Sequence, residues 1–350
     1  NEGAVLEFHG ALDVNKLKQA LLHLVDVQRN RQRVYRLCED DGIPRAMRCN
    51  RSLLESNLLS VVTSYASESN EITKREVKEI TKEFYRRAFN LETGPLIRTL
   101  LISVPSRNQH HLVMVLHHLV ADGFSFVLMC DYLSTFYNGE NIMAFSPSSV
   151  PCTYQDFTVW ERESQLEIWN KSVKYWKKQV EGMKVIPMPK RSLPFGVFKS
   201  NNTIKVKLPL PLISSLRQLS IDQETTLFTV LFSAYQLHLS HWLGIDDVMI
   251  VSPWHGRPHP DLDSIMGCFV NLLVLRANLS QPSSTFGDLL KCGKESLSNA
   301  LQNPIPANWI VRLLNLGATG LVPSTWLLFY QNYEFHKTVF DGVESTNLHD

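Results

Sequence analysis

The stretch Val113–Phe126, "VMVLHHLVADGFSF", places two adjacent histidines at the end of an apolar run. The length and nearly continuous hydrophobicity of this run predict a strand that is buried on both faces. His117 and His118 follow the strand, and the residues after Gly123 are apolar enough to form a buried helix. The pattern therefore predicts that the two imidazoles and the Asp122 carboxylate lie at a junction between a strand and a helix.

These residue types are suited to acyl transfer. An imidazole can accept a proton from a nucleophile because its unperturbed pKa lies near neutral pH. Gly123 would let the backbone turn sharply toward a ligand, and amides at the start of the helix could stabilise an oxyanion. Adjacent strand residues point to opposite faces, so His117 and His118 are not expected to share a metal ion, and we predict no metal site. A purely structural role for the group remains the alternative, and Asp122 is either catalytic or a brace for the loop.

Composition and net charge limit the classes of binding partner and the cellular compartment that we expect. The chain has 350 residues, of which 44% are hydrophobic and 20% charged, as in a globular protein with two lobes. The formal net charge of +1 gives no reason to expect nucleic acid or a membrane surface as a partner. The six cysteines are scattered without a C-x-x-C pair, which predicts reduced thiols in a cytoplasmic protein.

Other segments predict alternating strands and helices. "AVLEFHGALDVNKLKQALLHLVD" predicts a strand, a glycine turn and a helix capped by Asp13. The charged stretch Arg51–Asn90 is predicted to be helical, and the helix after the histidines is expected to end at Asn138 and Gly139. "TLFTVLFSAYQLHLSHWLG" predicts another buried helix, while "DDVMIVSPWHGRP" and "MGCFVNLLVLRANL" predict two further strands.

These elements indicate an α/β protein with two lobes. The proline-rich stretch 187–196 is predicted to link an N-terminal lobe, 1–186, which carries the histidines, to a C-terminal lobe, 197–350. The sequence contains no G-x-G-x-x-G, Walker, H-E-x-x-H or G-x-S-x-G motif. A nucleotide-binding loop, a zinc-protease helix and a hydrolase nucleophile elbow are therefore not expected.

Several motifs together resemble one family. "HHLVADG" is similar to the HHxxxDG signature of the condensation domains of nonribosomal peptide synthetases. "FNLETGPLIR", "YQDFTVW", "YWKKQVEG" and the long segment that contains "DDVMIVSPWHGRP" and "FVNLLVLR" resemble further motifs of that family, in the same order. The resemblance covers most of the chain, from about Gly10 to Gln331. It extends to condensation domains attached to fungal highly reducing polyketide synthases or to polyketide–peptide hybrids.

The resemblance implies a fold and a reaction. The fold is α/β and like that of chloramphenicol acetyltransferase, with two lobes in a V and a central tunnel. The reaction is transfer of a peptidyl or polyketide acyl group from a carrier-protein thioester to an amine or hydroxyl within a megasynthase. No cofactor is expected to be bound, since carrier proteins deliver the phosphopantetheine arm, and the expected partners are carrier proteins and neighbouring domains. A coenzyme-A-dependent acyltransferase of the same fold, or a non-catalytic domain that docks or gates an acyl carrier, remains an alternative.

The resemblance also assigns roles to residues of the HHxxxDG stretch. His118 corresponds to the histidine that deprotonates or positions the acceptor nucleophile. Gly123 corresponds to the glycine beside the reacting carbonyl. His117 is expected to act mainly in packing, and Asp122 corresponds to the aspartate that braces the loop through an arginine.

The arginine partner of this aspartate is the main departure from the family pattern. Gln32 stands where we align the arginine of the family. We therefore expect Arg31 or Arg33 to take its place at the site, with Arg98 as a third candidate to pair with Asp122. A buried carboxylate without a cationic partner would be costly.

The resemblance further implies that three other residues face substrate in the tunnel. These are Ser125, Arg257 and Asn271. Asn271 is equally consistent with a hydrogen bond in the core, because a buried amide must be paired in either case.

Overall fold

The computed structural model describes residues 2–28, 33–38, 44–63, 70–139, 152–182, 204–280, 285–305, 326–331 and 339–348. These residues form two compact units. The first unit takes the described parts of Asn1–Glu161, His255–Val270 and Asn332–Asp350, and the second those of Arg162–Trp254 and Asn271–Gln331. The units therefore alternate along the chain, and do not divide at one link as the sequence predicts. The predicted link, 187–196, lies outside the described residues.

The first unit is built on a five-stranded sheet with the order β4-β5-β6-β1-β9. Its strands are β1 (Glu2–Gly10), β4 (Leu59–Thr63), β5 (Ile97–Val104), β6 (Gln109–Leu116) and β9 (Val343–Leu348). β4 and β5 are parallel, and the other neighbours are antiparallel. In the pairing of β1 with β6, Glu2 lies opposite Leu116. The start of β1 is thereby brought beside the two histidines that follow β6.

Helices cover both faces of this sheet. They are α1 (Val14–Val27) and α4 (Gly123–Asn138) on one face and α3 (Asn70–Arg86) on the other. Asp13 caps α1, since its carboxylate accepts hydrogen bonds from the backbone amides of Asn15 and Lys16. The core beneath α1 and α4 includes Leu6, Phe8, Leu17, Leu21, Met114 and Met129. The core beneath α3 includes Val77, Phe84, Ile102, Val113 and Val115.

Smaller elements complete the first unit. They are the hairpin of β2 (Arg33–Leu37) and β3 (Pro44–Arg48), helix α2 (Arg51–Asn57) and the first two turns of helix α5 (Tyr154–Val180). Phe157 of α5 packs against Leu262, Ile265 and Phe269. This apolar cluster holds the segment His255–Val270 within the first unit.

The second unit has a smaller sheet. β7 (Asp247–Trp254) and β8 (Asn271–Asn278) pair antiparallel, and Leu327 adds a bridge to Val251 of β7. Its helices are the remainder of α5, α6 (Leu210–Asp222), α7 (Leu227–Leu243) and α8 (Phe286–Gln302). Trp176 is fully buried in the core of this unit, and its indole N–H donates to the carbonyl of Asn303 at 2.7 Å.

Two chain-wide features bear on the sequence predictions. Among the helices that the structure describes, none has the length and hydrophobicity needed to cross a bilayer. All six cysteines lie in described positions, and none forms a disulfide.

Candidate functional site

The two histidines that follow β6 lie in different environments. His117 is half-buried, and its backbone N–H donates to the carbonyl of Leu96 at 3.0 Å. Its Nδ1 accepts a hydrogen bond from the amide of Leu119 at 3.1 Å, and its ring meets Phe89 edge-on. Burial lowers the pKa of His117, which favours the neutral ring. These contacts place His117 in the scaffold of the turn.

His118 presents its side chain more openly. It is 46% exposed, and each ring nitrogen has one neighbour. Nε2 lies 3.5 Å from a carboxylate oxygen of Glu2, and Nδ1 lies 3.5 Å from the sulfur of Cys268. The exposed edge of this ring is an ionisable part of the HHxxxDG stretch that a substrate could reach.

Asp122 is the most heavily bonded residue of the site. It is 4% exposed and serves as the N-cap of α4, where its Oδ1 accepts from the backbone amide of Ser125 at 2.9 Å. Its Oδ2 accepts from the backbone amide of Phe269 at 3.1 Å. The guanidinium of Arg257 reaches both oxygens, at 2.9 and 3.3 Å. The carboxylate therefore joins the start of α4 to the segment His255–Val270.

Arg257 is enclosed on every side. It is 5% exposed, and its guanidinium also donates to the carbonyls of Ile265 and His255, at 3.2 and 3.3 Å. The rings of Phe269 and Phe124 lie against the guanidinium, with centroids 4.2 and 4.9 Å away. An ion pair buried this deeply is favourable only when its remaining donors are also satisfied, as most are here.

The condensation domain family model matches residues 1–348. This chain belongs to the condensation domain family. Condensation domains are acyltransferases, so the predicted family and the predicted reaction class are confirmed.

Relatives and solved structures agree with this assignment. Surfactin synthase subunit 1 of Bacillus subtilis (strain 168) is 28% identical over 316 residues, which are 89% of this chain and 8% of that protein. The chain spans no more than 10% of the length of the first curated relatives that it matches. It is thus similar to one part of much longer synthetases.

Two solved structures show the fold. The first condensation domain of the CDA synthetase matches with a TM-score of 0.72 and 20% identity, covering 99% of this chain and 78% of that one. The condensation domain from the Monacolin K polyketide synthase MokA matches with a TM-score of 0.72 and 19% identity, covering 90% of this chain and 71% of that one. The predicted α/β fold class, that of the chloramphenicol acetyltransferase-like condensation domains, is confirmed.

Asp122 forms the predicted buried ion pair, but with an arginine that was not among the predicted candidates. Arg257, which is 135 residues away in the sequence, forms the ion pair. Arg33 instead donates to the side chain of Gln155, and Arg98 donates to backbone carbonyls at the end of α3, among them that of Phe84. Arg31 lies outside the described residues. Nothing in the linear sequence indicates that the segment after β7 folds back against α4.

Two residues that were predicted to contact substrate have structural roles instead. Arg257 cannot both face a substrate and hold Asp122, because its guanidinium is buried by the two phenyl rings. Ser125 is 1% exposed; its hydroxyl donates to Asp122 Oδ1 at 2.7 Å and accepts from the amide of Gly267 at 3.1 Å. Ser125 is the third residue of a capping box, a position that directs its side chain back to the N-cap. Both predictions are corrected accordingly.

Gly123 departs in detail from its prediction, whereas Asn271 matches one of its two predicted alternatives. Gly123 is the first residue of α4 and is not among the glycines with positive φ, so its backbone makes no sharp left-handed turn. Asn271 begins β8 in the second unit, where its amide donates to the carbonyl of Ile305 at 3.0 Å and its oxygen accepts from the amide of Leu272 at 2.8 Å. These bonds match the core alternative for Asn271, and contact with substrate stays a prediction.

Three neighbours of the site are not predictable from the sequence. Glu2 and Cys268 flank the ring of His118, and Gly267 lies beneath the ring of Tyr154, where a methyl group would overlap that ring. Tyr154 in turn donates its hydroxyl proton to the carbonyl of Cys268 at 2.8 Å. The motif "YQDFTVW" marks Tyr154, but only the folded chain brings it to Cys268 and Gly267.

A metal centre finds no support in the geometry. Within the ranges that the structure covers, no group of three or more His, Cys, Asp or Glu side chains could hold an ion. His117 and His118 point to different neighbours, as expected for adjacent residues at the end of a strand.

Proposed function

We propose that this condensation domain transfers an acyl group from a carrier-protein thioester to an amine or hydroxyl, with His118 at the reacting atoms. One observation carries the proposal: the imidazole of His118 is exposed, whereas Asp122 and Arg257 beside it are buried and bonded to each other. An exposed imidazole on a rigid base is the arrangement that general acid–base or hydrogen-bond catalysis requires.

The bond changes are those of a simple acyl transfer. The nitrogen or oxygen of the acceptor forms a bond to the thioester carbonyl carbon, and the carbon–sulfur bond breaks. The proton lost by the acceptor balances the one gained by the departing phosphopantetheine thiol. His118 removes or positions this proton, and the amides at the start of α4, from Gly123 onward, lie on the side of the carbonyl oxygen.

Asp122 and Arg257 act on this chemistry indirectly. Their ion pair fixes the start of α4 against the segment that carries Cys268, and both of these elements contact or adjoin His118. Both side chains are buried and bonded to each other and to backbone groups, so we assign the pair the role of holding geometry and give it no part in proton transfer.

We assign the partners and substrates by family membership. A carrier protein delivers the donor thioester on its phosphopantetheine arm, and neighbouring domains of a cytoplasmic synthetase surround this one. The similarity to domains of surfactin synthase and of the Monacolin K polyketide synthase leads us to include both peptidyl and polyketide acyl donors.

A matched pair of kinetic assays tests the proposal. One acyl group is loaded on a carrier protein and, separately, on coenzyme A, and condensed product is measured by mass spectrometry with an amine and with an alcohol acceptor. We expect a far higher kcat/KM for the carrier-bound donor. Equal values would favour the coenzyme-A-dependent alternative, and carrier binding without turnover of either donor would favour a docking domain.

A further inference from the structure

The two neighbours of the His118 ring have opposite hydrogen-bonding character. Cys268 lies at Nδ1 and Glu2 at Nε2, each 3.5 Å away. Glu2 comes from the start of β1, and Cys268 comes from the segment His255–Val270. The ring is therefore held between two parts of the first unit that are distant in sequence.

Cys268 is a thiol, and not a thiolate, at neutral pH. Burial raises its pKa to about 11, with the negative charges of Asp122 and Glu2 acting in the same direction and Arg257 opposing them. A protonated thiol has an S–H that can donate to an imidazole nitrogen. The geometry at Nδ1 thus supplies a donor.

Glu2 offers the opposite partner. An ionised carboxylate can only accept hydrogen bonds, so a lone pair on Nε2 would face the lone pairs of the Glu2 oxygen. A proton on Nε2 removes this repulsion and makes an N–H···O contact. Both sides of the ring therefore favour the same arrangement of its single proton.

We propose that Cys268 is a positioning residue for His118, and that its thiol and the Glu2 carboxylate together hold the neutral ring in the tautomer with the proton on Nε2. This inference rests on the proposed function, in which His118 works at the reacting atoms. It argues against proton removal, because a neutral ring with its proton on Nε2 and its Nδ1 engaged by the Cys268 thiol has no free lone pair to accept one. With its proton on Nε2, the ring offers a hydrogen-bond donor on its exposed edge, which suits the carbonyl oxygen of a thioester as negative charge develops on it.

The other charged groups near the ring do not alter this choice. Of the described residues, those that present a titratable group to it are Glu2, Cys268 and the adjacent His117. His117 carries a depressed pKa and is neutral under the same conditions. Asp122 and Arg257 act on Cys268 and neutralise each other in their ion pair.

The tautomer can be measured without substrate. The protein is prepared with ¹⁵N-labelled histidine, and the His118 signals are identified by their loss in His118→Gln. At about pH 8, where imidazole is neutral, the ¹⁵N shifts report the ratio of the two tautomers. We compare the unmodified protein with Cys268→Ser, which keeps a donor at this position, and with Cys268→Ala, which removes it.

We expect the unmodified protein to carry the proton on Nε2 and Cys268→Ser to preserve this state. Cys268→Ala should lower the ratio of the Nε2–H to the Nδ1–H tautomer by about 3- to 10-fold, the equivalent of one net hydrogen bond. Glu2→Ala removes the carboxylate on the other edge of the ring and should also lower the ratio of the Nε2–H to the Nδ1–H tautomer. Because the side chain of Glu2 is exposed, this variant provides a second test if Cys268→Ala does not fold.

The proposal is overturned if His118 carries its proton on Nδ1, or if a folded Cys268→Ala protein leaves the ratio unchanged. If Cys268→Ala does not fold, an unchanged ratio in Glu2→Ala overturns it. Because this experiment uses no acyl donor, its result is separate from the kinetic test of the proposed function. If Cys268→Ala has the same tautomer ratio as the unmodified protein, and the unmodified protein transfers the acyl group, only the role of Cys268 is refuted. A confirmed tautomer in a protein that transfers no acyl group from either donor would refute the proposed function alone.

Discussion

Arg257 meets the Asp122 carboxylate with two nitrogens, at 2.9 and 3.3 Å, across 135 residues of sequence. The pair joins the loop between β7 and β8 to the first turn of α4. Replacing such a buried pair by apolar residues is often neutral, whereas removing one partner leaves an uncompensated charge. The pair is therefore expected to fix the geometry of the loop more than to add net stability.

Asp122→Asn tests this relationship. Asparagine is as good an N-cap as aspartate, so the substitution removes the charge and spares the cap. Because the guanidinium of Arg257 is then buried without a counter-charge, the free energy of unfolding should fall by about 3 kcal/mol or more, as measured by urea denaturation.

Asp247→Asn provides the matched control. Asp247 pairs with Arg276 at 2.7 Å, but both side chains are partly exposed. Breaking this pair should cost about 1 kcal/mol or less. Equal losses in the two variants would show that burial of the Asp122 pair has no special consequence.

Gly267→Ala should disturb the packing of Gly267 against the ring of Tyr154. A methyl group there would overlap the ring of Tyr154, which is itself packed edge-on against Phe269. We expect a loss of about 1–3 kcal/mol in unfolding free energy, typical of overpacking. Gly287→Ala, in the first turn of α8, meets only ordinary contacts at 3.5 Å or more and should be neutral or slightly stabilising. A harmless Gly267→Ala would contradict the packing described here.

Local elements were predictable where one segment contains its own signals. Asp13 caps α1, and Gly139 closes α4 in the left-handed conformation, both as the sequence predicts. Within the stretch Arg51–Asn90, however, the structure has β4 between two helices. β4 is a short strand with mostly exposed side chains at the edge of the sheet, so it lacks the apolar alternation that marks a strand.

The site was predictable only in part, because only some of its residues lie together in one segment of the sequence. The HHxxxDG stretch is contiguous, and the resemblance identifies it directly. The partners of its residues come from elsewhere: Arg257, Cys268 and Glu2 reach it through the pairing of β1 with β6 and the return of His255–Val270 to the first unit. Contacts set by chain topology leave no local pattern, so the sequence does not point to Arg257 as the partner of Asp122.

Stability should depend on pH through a buried histidine far from the site. His111 is 6% exposed, and burial lowers its pKa, with His9 and His110 acting in the same direction and Glu7 opposing. The folded state then binds fewer protons than the unfolded state below the ordinary histidine value of about 6.5, so stability falls as the pH falls through this value.

His111→Phe should remove part of this acid sensitivity. Nδ1 of His111 has no hydrogen-bond partner among the described residues, so an apolar ring costs no bond at that atom. In urea denaturation at about pH 8 and about pH 5.5, the variant should lose less stability on acidification than the unmodified protein. His23→Phe, on an exposed position of α1, is the control and should keep the original dependence. An unchanged slope in His111→Phe would contradict the assignment.

The most direct test of the central claim, that acyl transfer depends on the imidazole of His118, is product formation from a carrier-bound donor by His118→Ala and His117→Asn. Asparagine at 117 retains an acceptor for the amide of Leu119 and should keep most of the activity. His118→Ala should fold as before, by thermal unfolding, and lose roughly 10²-fold or more in rate. Full turnover by a folded His118→Ala protein would contradict the account.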